Sequence, residues 1–410
     1  MRFRVLLALM IAGLLVAGVA PVTGGTGPAG SVVSWGSDRF GALSGTPSGA
    51  DYVAVAAGGW HSLALKADGS IVGWGSNVDG FPWCPVSPPG FPDCPWWGQA
   101  TPPAGNDYVA IAAGSYFGLA LKSDGSIVGW GRGYCDVTTP PADTDFVAIS
   151  AGHDYALALK SDGSIVGWGC NDYGQAQPPP GDNTGFVAIS AYYAHSLALK
   201  SDGSIVGWGY NYSGQATPPA GNDYVAIAAG DAHSLALRSD GSIVGWGDNT
   251  WGQRTTPAGG DFVAIVGATG YSLALRADGS IVGWGYNTDG CGVPTAPPAG
   301  NGHTAIAASF CHGVALLLAV DSDNDGVPDA DDAFPFSDVS PTAAIGGCDS
   351  GVANQVLPDG ATFNDLISAA AANAKNHGSF VATVAKLTNN WKKEELISGA
   401  DTGKIQRCAA

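Results

Sequence analysis

The sequence predicts an all-β fold: a propeller of seven blades, built from short repeats of about 38–40 residues and closed by its N-terminal strand. Three observations carry this prediction. The stretch LALKSDGSIVGWG stands unchanged at 119–131, 157–169 and 197–209, with near-copies at 63–75, 235–247 and 273–285. The motif tryptophans Trp35, Trp74, Trp130, Trp168, Trp208, Trp246 and Trp284 are spaced by 39, 56, 38, 40, 38 and 38 residues. The one long gap holds an insertion, FPWCPVSPPGFPDCPWW, at 81–97. Finally, 62 Gly and 26 Pro in 410 residues, with only 13% charged, suit strands and turns better than helices.

Residues 1–25 read as a secretory signal peptide. Arg2 and Arg4 precede an apolar run of about 16 residues, short of the roughly 20 that a membrane-spanning helix needs. No other segment reads as a helical span, so the expected location is extracellular or in the cell envelope, with no membrane span once the signal is removed.

The propeller is expected over 30–320. In the unit DYVAIAAGDAHSLALRSDGSIVGWG (223–247), YVAIAA, HSLALR and SIVGWG read as three strands. Asp240-Gly241 reads as a two-residue hairpin turn with positive φ at both central positions. VAI-type strands begin near Val53, Val109, Val147, Val187, Val225, Val263 and Ala305. The first WG-type strand, SVVSWG at 31–36, precedes every VAI strand, and the last VAI unit has no WG strand after it. These two halves are expected to complete one blade, which would remove the open strand edges of an unclosed array. The tryptophans are expected to pack blade on blade.

The formal net charge is −18. Lys66, Lys122, Lys160, Lys200, Arg238 and Arg276 share one repeat position, each offset by the Asp two residues later. Such a pattern is no phosphate-binding stripe, so neither nucleic acid nor an anionic membrane is an expected partner. No nucleophile elbow, HExxH or phosphate-binding glycine loop occurs, and the His-Ser pairs at 61–62, 195–196 and 233–234 are strand neighbours on opposite faces. The chain is therefore expected to be a monomer, without enzymatic activity and without an organic cofactor.

Two loops vary among the repeats. One joins the VAI and LAL strands; the other follows the WG strand. Together they offer Trp60, Tyr116, Phe117, Tyr155, Tyr173, Tyr192, Tyr193, Tyr210, Tyr212, Trp251, Tyr271 and Tyr286 as candidate partner-binding residues. Aromatic side chains on a rigid frame provide large contact area at low entropic cost. The position before the LAL strand (His61, Phe117, Tyr155, His195, His233, Tyr271, His312) is filled in every repeat, which also suits a packing role.

The unit GxxHSLALxxDGSIVGWGxNxxGQ resembles the regulator of chromosome condensation repeat, over about 30–318. It is most similar to the short-repeat secreted branch of the propeller-type β-lactamase inhibitors. The resemblance implies seven three-stranded blades and protein partners bound by loops on one face.

Eight cysteines favour disulfides in an exported chain. Cys84 is expected to pair with Cys94, and Cys348 with Cys408. Cys135 and Cys170 follow the WG motif of consecutive repeats and could meet, leaving Cys291 and Cys311; these two pairings stay open.

After the propeller, 321–338 reads as an acidic calcium-binding linker. In DSDNDGVPDADD, Asp321, Asp323, Asp325, Val327 (through its carbonyl), Asp329 and Asp332 match the ligand spacing of a Ca2+ loop, and Gly326 allows its sharp turn. Without flanking helices it resembles a thrombospondin type 3 repeat. Residues 348–410 read as a small helical module: a first helix from a Thr362/Asp365 capping box to Gly378, a second through SFVATVAKLTNNWKKEEL, and a third around GKIQRC.

The function expected is that of a secreted protein-binding propeller, which in one form inhibits its partner. The rival reading is a cell-surface adhesion or carbohydrate-binding module.

Overall fold

The computed structural model describes residues 29–38, 41–78, 96–178, 181–286, 297–318, 342–345, 348–355, 357, 362–394 and 396–410. The chain divides into two units, Met1–Leu318 and Ala319–Ala410. Three expectations fall outside the described residues: the Cys84–Cys94 pair, the calcium ligands of 321–332, and the signal segment.

The first unit opens with strand β1 (Gly30–Gly36). Three-stranded antiparallel groups follow in chain order. They are β2 (Tyr52–Ala57), β3 (His61–Lys66) and β4 (Ile71–Gly75); β5 (Tyr108–Ala113), β6 (Phe117–Lys122) and β7 (Ile127–Gly131); β8 (Phe146–Ala151), β9 (Tyr155–Lys160) and β10 (Ile165–Gly169). Then come β11 (Phe186–Tyr192), β12 (His195–Lys200) and β13 (Ile205–Gly209); β14 (Tyr224–Ala229), β15 (His233–Arg238) and β16 (Ile243–Gly247); β17 (Phe262–Gly267), β18 (Tyr271–Arg276) and β19 (Ile281–Gly285). Last are β20 (His303–Ser309) and β21 (His312–Leu318). As expected, β1 pairs along its length with β21, from Gly30↔Leu318 to Gly36↔His312. A single register pair, Gly30↔Tyr52, continues that sheet into β2–β3–β4.

Why the repeated text is fixed follows from the packing. The middle strand of each group is buried on both faces, so LAL needs no polar alternation. Its two faces meet different neighbours. Leu157 and Leu159 pack with Ile189, Ala198 and Trp208 of the next group, whereas Ala156 and Ala158 lie in the cluster of Phe117 and Leu119 from the group before. Leucine thus fills the space that alanine leaves. The same arrangement links Val314 and Leu316 of β21 to Ala64 and Trp74.

The tryptophans do pack group on group. From Trp74 onward each also donates its indole N–H backward, as Trp130 does to the Gln99 carbonyl (3.0 Å), Trp208 to Gln175 (2.9 Å), Trp246 to Gln215 (2.8 Å) and Trp284 to Gln253 (2.8 Å). Trp74 uses Ala42 (3.0 Å), in the segment after β1.

The DGS turns differ from the expected two-residue hairpin. At 66–70 only Gly69 has positive φ (+82°). The Gly69 N–H donates to Lys66 O (3.0 Å) and the Lys66 N–H to Ser70 O (2.8 Å), a wider loop with one left-handed glycine. Asp68 Oδ1 accepts from the Ser70 N–H (2.8 Å) and hydroxyl (2.6 Å), so the aspartate is spent on shaping its own turn. The Gly69 carbonyl then accepts from Tyr108 N–H (3.2 Å) in the next group.

The repeat cation is also placed differently from expectation. Except at Lys200, where Gly185 takes the place of the acid, it pairs with the Asp that enters the first strand, as Lys66 does with Asp51 (3.0 Å), Lys122 with Asp107 (3.1 Å) and Arg276 with Asp261 (2.6 Å). The DGS aspartate is already occupied by its serine. Each cation also lies over a strand aromatic, as Arg276 does over Phe262 at 4.6 Å.

Cys135 and Cys170 form a disulfide, as do Cys348 and Cys408. Cys311 is disulfide-bonded as well.

The second unit holds a hairpin, β22 (Thr342–Ile345) and β23 (Cys348–Ala353), that sequence reading did not foresee. Three helices follow: α1 (Phe363–Ala372), α2 (His377–Lys393) and α3 (Gly399–Ala409). The Thr362/Asp365 capping box is present. The first helix stops short of Gly378, because Asn376 caps a new helix and places that glycine inside α2. Phe363 stacks on Trp391 (4.0 Å) in a core with Ile367, Val384 and Ile405. No helix among the described residues is long and apolar enough to cross a membrane.

Candidate binding face

Pairings such as His61↔Gly75 and His195↔Gly209 bring the end of each WG strand beside the start of each LAL strand. Both variable loops therefore emerge at the same end of every group. Backbone bonds tie successive first loops together: Gly59 N–H to Gly114 O (3.3 Å), Ser115 to His153 (3.3 Å), His153 to Tyr193 (3.2 Å) and Asp231 to Ala268 (3.3 Å). The rim is thus braced by main chain, and its side chains are free to differ.

At the second position of this loop the repeats carry Gly59, Ser115, His153, Tyr193, Asp231, Thr269 and Phe310. No two are alike, in a chain that elsewhere repeats thirteen residues unchanged. All seven line one cavity of about 230 Å³, whose deeper walls are Ala, Val and Ile from the first strand of every group. Tyr192 reaches across it, with its hydroxyl at Thr269 Oγ1 (3.0 Å) and Ser309 Oγ (3.3 Å). Tyr193 holds a left-handed backbone (φ +37°), uncommon for a bulky residue and enriched at functional sites.

The predicted aromatics separate into two sets. Phe117, Tyr155 and Tyr271 are buried and offer no surface to a partner, which corrects their assignment as contact residues. They belong to the position before the LAL strand, which acts as a latch on the next group. Tyr155 Oη donates to His195 O (2.5 Å) and meets Ser196 Oγ (2.9 Å). Histidine does the same work through Nε2: His195 to Ser234 (2.9 Å), His233 to Ser272 (2.8 Å) and His312 to Ser62 (2.8 Å). Phe117 instead packs with Ala156, an apolar pair in place of a polar one. His61 lacks a serine because the next group has Gly118 there, with Trp130 filling the space. Burial lowers the histidines, His61 and His195 to about 3 and His233 and His312 to about 4.

The other set forms the open rim. Trp60 packs on Phe310 (5.1 Å), Tyr173 on Tyr210 (4.9 Å) and Trp251 on Tyr286 (4.1 Å). His153 sits between Tyr116 (6.5 Å) and Tyr193 (5.6 Å). Tyr212 is 88% exposed, Trp251 52%, Phe310 50% and Tyr193 47%. Arg132 lies over Trp97, Tyr116 and Tyr134 at 5.2, 5.5 and 5.2 Å.

Sequence reasoning chose aromatics and passed over His153, Asp231, Phe310 and Arg132. The signal that finds the first three is the second loop position itself, whose variability was visible. Asp231 is half-buried at the cavity wall; burial pushes its carboxyl up, opposed by the nearby charge of His153. Among the described residues, no group of three or more His, Cys, Asp or Glu side chains could hold a metal ion.

The regulator of chromosome condensation (RCC1) repeat family matches the chain at 52–80, 108–136, 146–175, 186–215 and 224–253. Among solved structures, Prp20p of Saccharomyces cerevisiae, described with its binding to Gsp1p and histones, superposes with TM-score 0.57 at 18% identity. The match covers 73% of this chain and 94% of that one. Yeast RCC1 (Prp20) bound to Kap60 gives 0.56 at 18% identity, over 72% and 90%. Human WBSCR16 gives 0.51 at 17% identity, over 70% and 99%. These likenesses show a propeller-like fold of three-stranded RCC1 repeats. No curated protein sequence matches the chain.

Proposed function

From a chain built of RCC1 repeats, we propose a secreted, non-enzymatic scaffold that binds another protein through its variable loop face. One observation carries this reading. Seven equivalent positions at the cavity rim hold seven different residues, while the strands beneath them are nearly identical. A rim of exposed aromatics on a rigid frame suits protein recognition. Binding of Gsp1p, histones and Kap60 by Prp20 lends support from related folds.

The groups close as a seven-bladed ring in this proposal. The β1–β21 pairing supports it, as does the His312–Ser62 latch, which repeats His195–Ser234 between the last group and the first. Contact residues are Trp60, Tyr116, Tyr173, Tyr192, Tyr193, Tyr210, Tyr212, Trp251 and Tyr286, with inhibition of the bound protein as one form of the activity. Export is supported by the N-terminal apolar run and the paired cysteines. Asp321, Asp323, Asp325, Val327, Asp329 and Asp332 would take Ca2+ and stiffen the linker, and calorimetric titration with Ca2+ after chelation tests that directly.

The test of binding is affinity capture from secreted and envelope proteins with the full chain and a Tyr193→Ala/Tyr212→Ala/Trp251→Ala variant. A protein held by the parent and lost by the variant supports the face. Equal capture by both, or capture competed away by free glycans, overturns it.

A further inference from the structure

Asp231 stands apart from the other acids of this face. The turn aspartates are bonded to their serines, and Asp154 holds His153 Nδ1 at 2.5 Å. The Asp231 carboxylate accepts no hydrogen bond among the described residues, although it lies half-buried in a cavity whose walls are mostly Ala, Val and Ile. The groups around it are committed elsewhere. The Tyr192 hydroxyl is used by Thr269 and Ser309, and His153 is held through Nδ1 by Asp154. Around it lie Tyr192 and Tyr193, both of which feel its charge, with His153 and Asp248 near enough to act on the carboxylate in opposite senses. A half-buried carboxylate without a hydrogen-bond partner is incompletely solvated, so a cation brought to it by a ligand meets a counter-charge that is stronger than one in open water.

We propose that this cavity mouth is a subsite for one organic cation: the ammonium or guanidinium of a lysine or arginine side chain on the bound protein, paired with Asp231 beside the Tyr192 and Tyr193 rings. The inference rests on the protein-binding reading above and adds the chemistry at its centre. Ring faces attract ammonium and guanidinium groups, and the apolar wall accepts the alkyl stem that carries them. A divalent metal ion is a poor occupant, since it needs several oxygen ligands and the mouth offers one carboxylate. The net charge of −18 favours approach of a basic surface.

The experiment uses the full chain at pH 8 and three probes: the N-acetyl methylamides of lysine, arginine and norleucine, titrated by ligand-observed NMR. The lysine or arginine probe is expected to bind about tenfold tighter than the uncharged norleucine probe. Asp231→Asn should reduce that preference to about one. Asp162→Asn, which changes a turn acid at the opposite end of the groups, should leave it intact. Equal binding of all three probes to the parent overturns the subsite, and so does a preference that survives Asp231→Asn. If Asp231→Asn fails to fold, the comparison of lysine with norleucine on the parent still decides. The two readings fail separately. No cation preference with capture still dependent on Tyr212 removes only the subsite. A retained preference with capture indifferent to the rim removes only the protein-binding face.

Discussion

Asp68, Asp124, Asp162, Asp202, Asp240 and Asp278 occupy one repeat position and all accept from the serine two residues on. At the other end of the same groups, Gly59, Ser115, His153, Tyr193, Asp231, Thr269 and Phe310 share a position and have nothing chemical in common. The turn end is constrained because each turn glycine hands its carbonyl to the next group, and a side chain there would meet backbone. The loop end is braced by main-chain bonds, so its side chains are free to differ, and those that touch, such as Thr269 with Tyr192, do so each in its own way. What the contrast teaches is that constancy here marks the repeated joints between groups, and variation marks a surface on which no joint is repeated.

The largest way to strain that contrast is acid. The three latch histidines and His61 at the same repeat position are buried, with values of about 3 for His61 and His195 and about 4 for His233 and His312. Their folded values lie below the ordinary 6.5, so the unfolded chain binds more protons as pH falls. The stability they permit is whole above pH 6.5 and is lost progressively toward pH 4. The loss is on the order of 1 kcal/mol per histidine per pH unit. Urea unfolding midpoints at pH 7.5 and 5.0 should differ sharply. Equal midpoints would mean the latches are not buried as described. The turn aspartates, held low by their serine bonds, add to the loss only below about pH 4.

Next comes Trp246→Ala, which empties a buried joint and removes one of the two donors to the Gln215 carbonyl, leaving only the Ser234 hydroxyl. A loss of about 3–5 kcal/mol is expected in urea unfolding. Gly203→Ala should cost less, about 1–3 kcal/mol, since its φ is +83° and a Cβ would lie 2.2 Å from the Asn222 carbonyl oxygen. Its thermal unfolding midpoint, set beside that of the parent, checks this. The smallest effect on stability belongs to the loop end. Tyr212→Ala should change stability by no more than about 0.5 kcal/mol while weakening partner capture. A large stability loss there would erase the division between the two ends.

Much of this was legible in the residues. The orphan strand at 31–36 and the incomplete last repeat foretold the β1–β21 pairing, because each lacked what the other had. Tryptophan spacing marked the joints. The turn conformation was not legible, because Asp-Gly suits more than one loop and the serine that follows decides between them. Nor was the partner of the repeat cation, since two aspartates flank it and only the fold shows that one is already bound. In the second unit, Gly378 read as a helix stop, yet Asn376 outcompeted it as a cap. At the loop face, size and hydrophobicity pointed to aromatics. Three of them proved to be latches, because an aromatic next to a small residue on the neighbouring strand packs the same way whether or not it carries a hydroxyl.

The most direct test of the account is hydrogen–deuterium exchange on the full chain with and without its captured partner. Protection is predicted at the loop end, in peptides covering Tyr116, His153, Tyr193, Tyr212, Asp231 and Phe310, with the DGS turns unchanged. Protection centred on the turns around Gly125, Gly163 and Gly203, with the loop end unaffected, would contradict it.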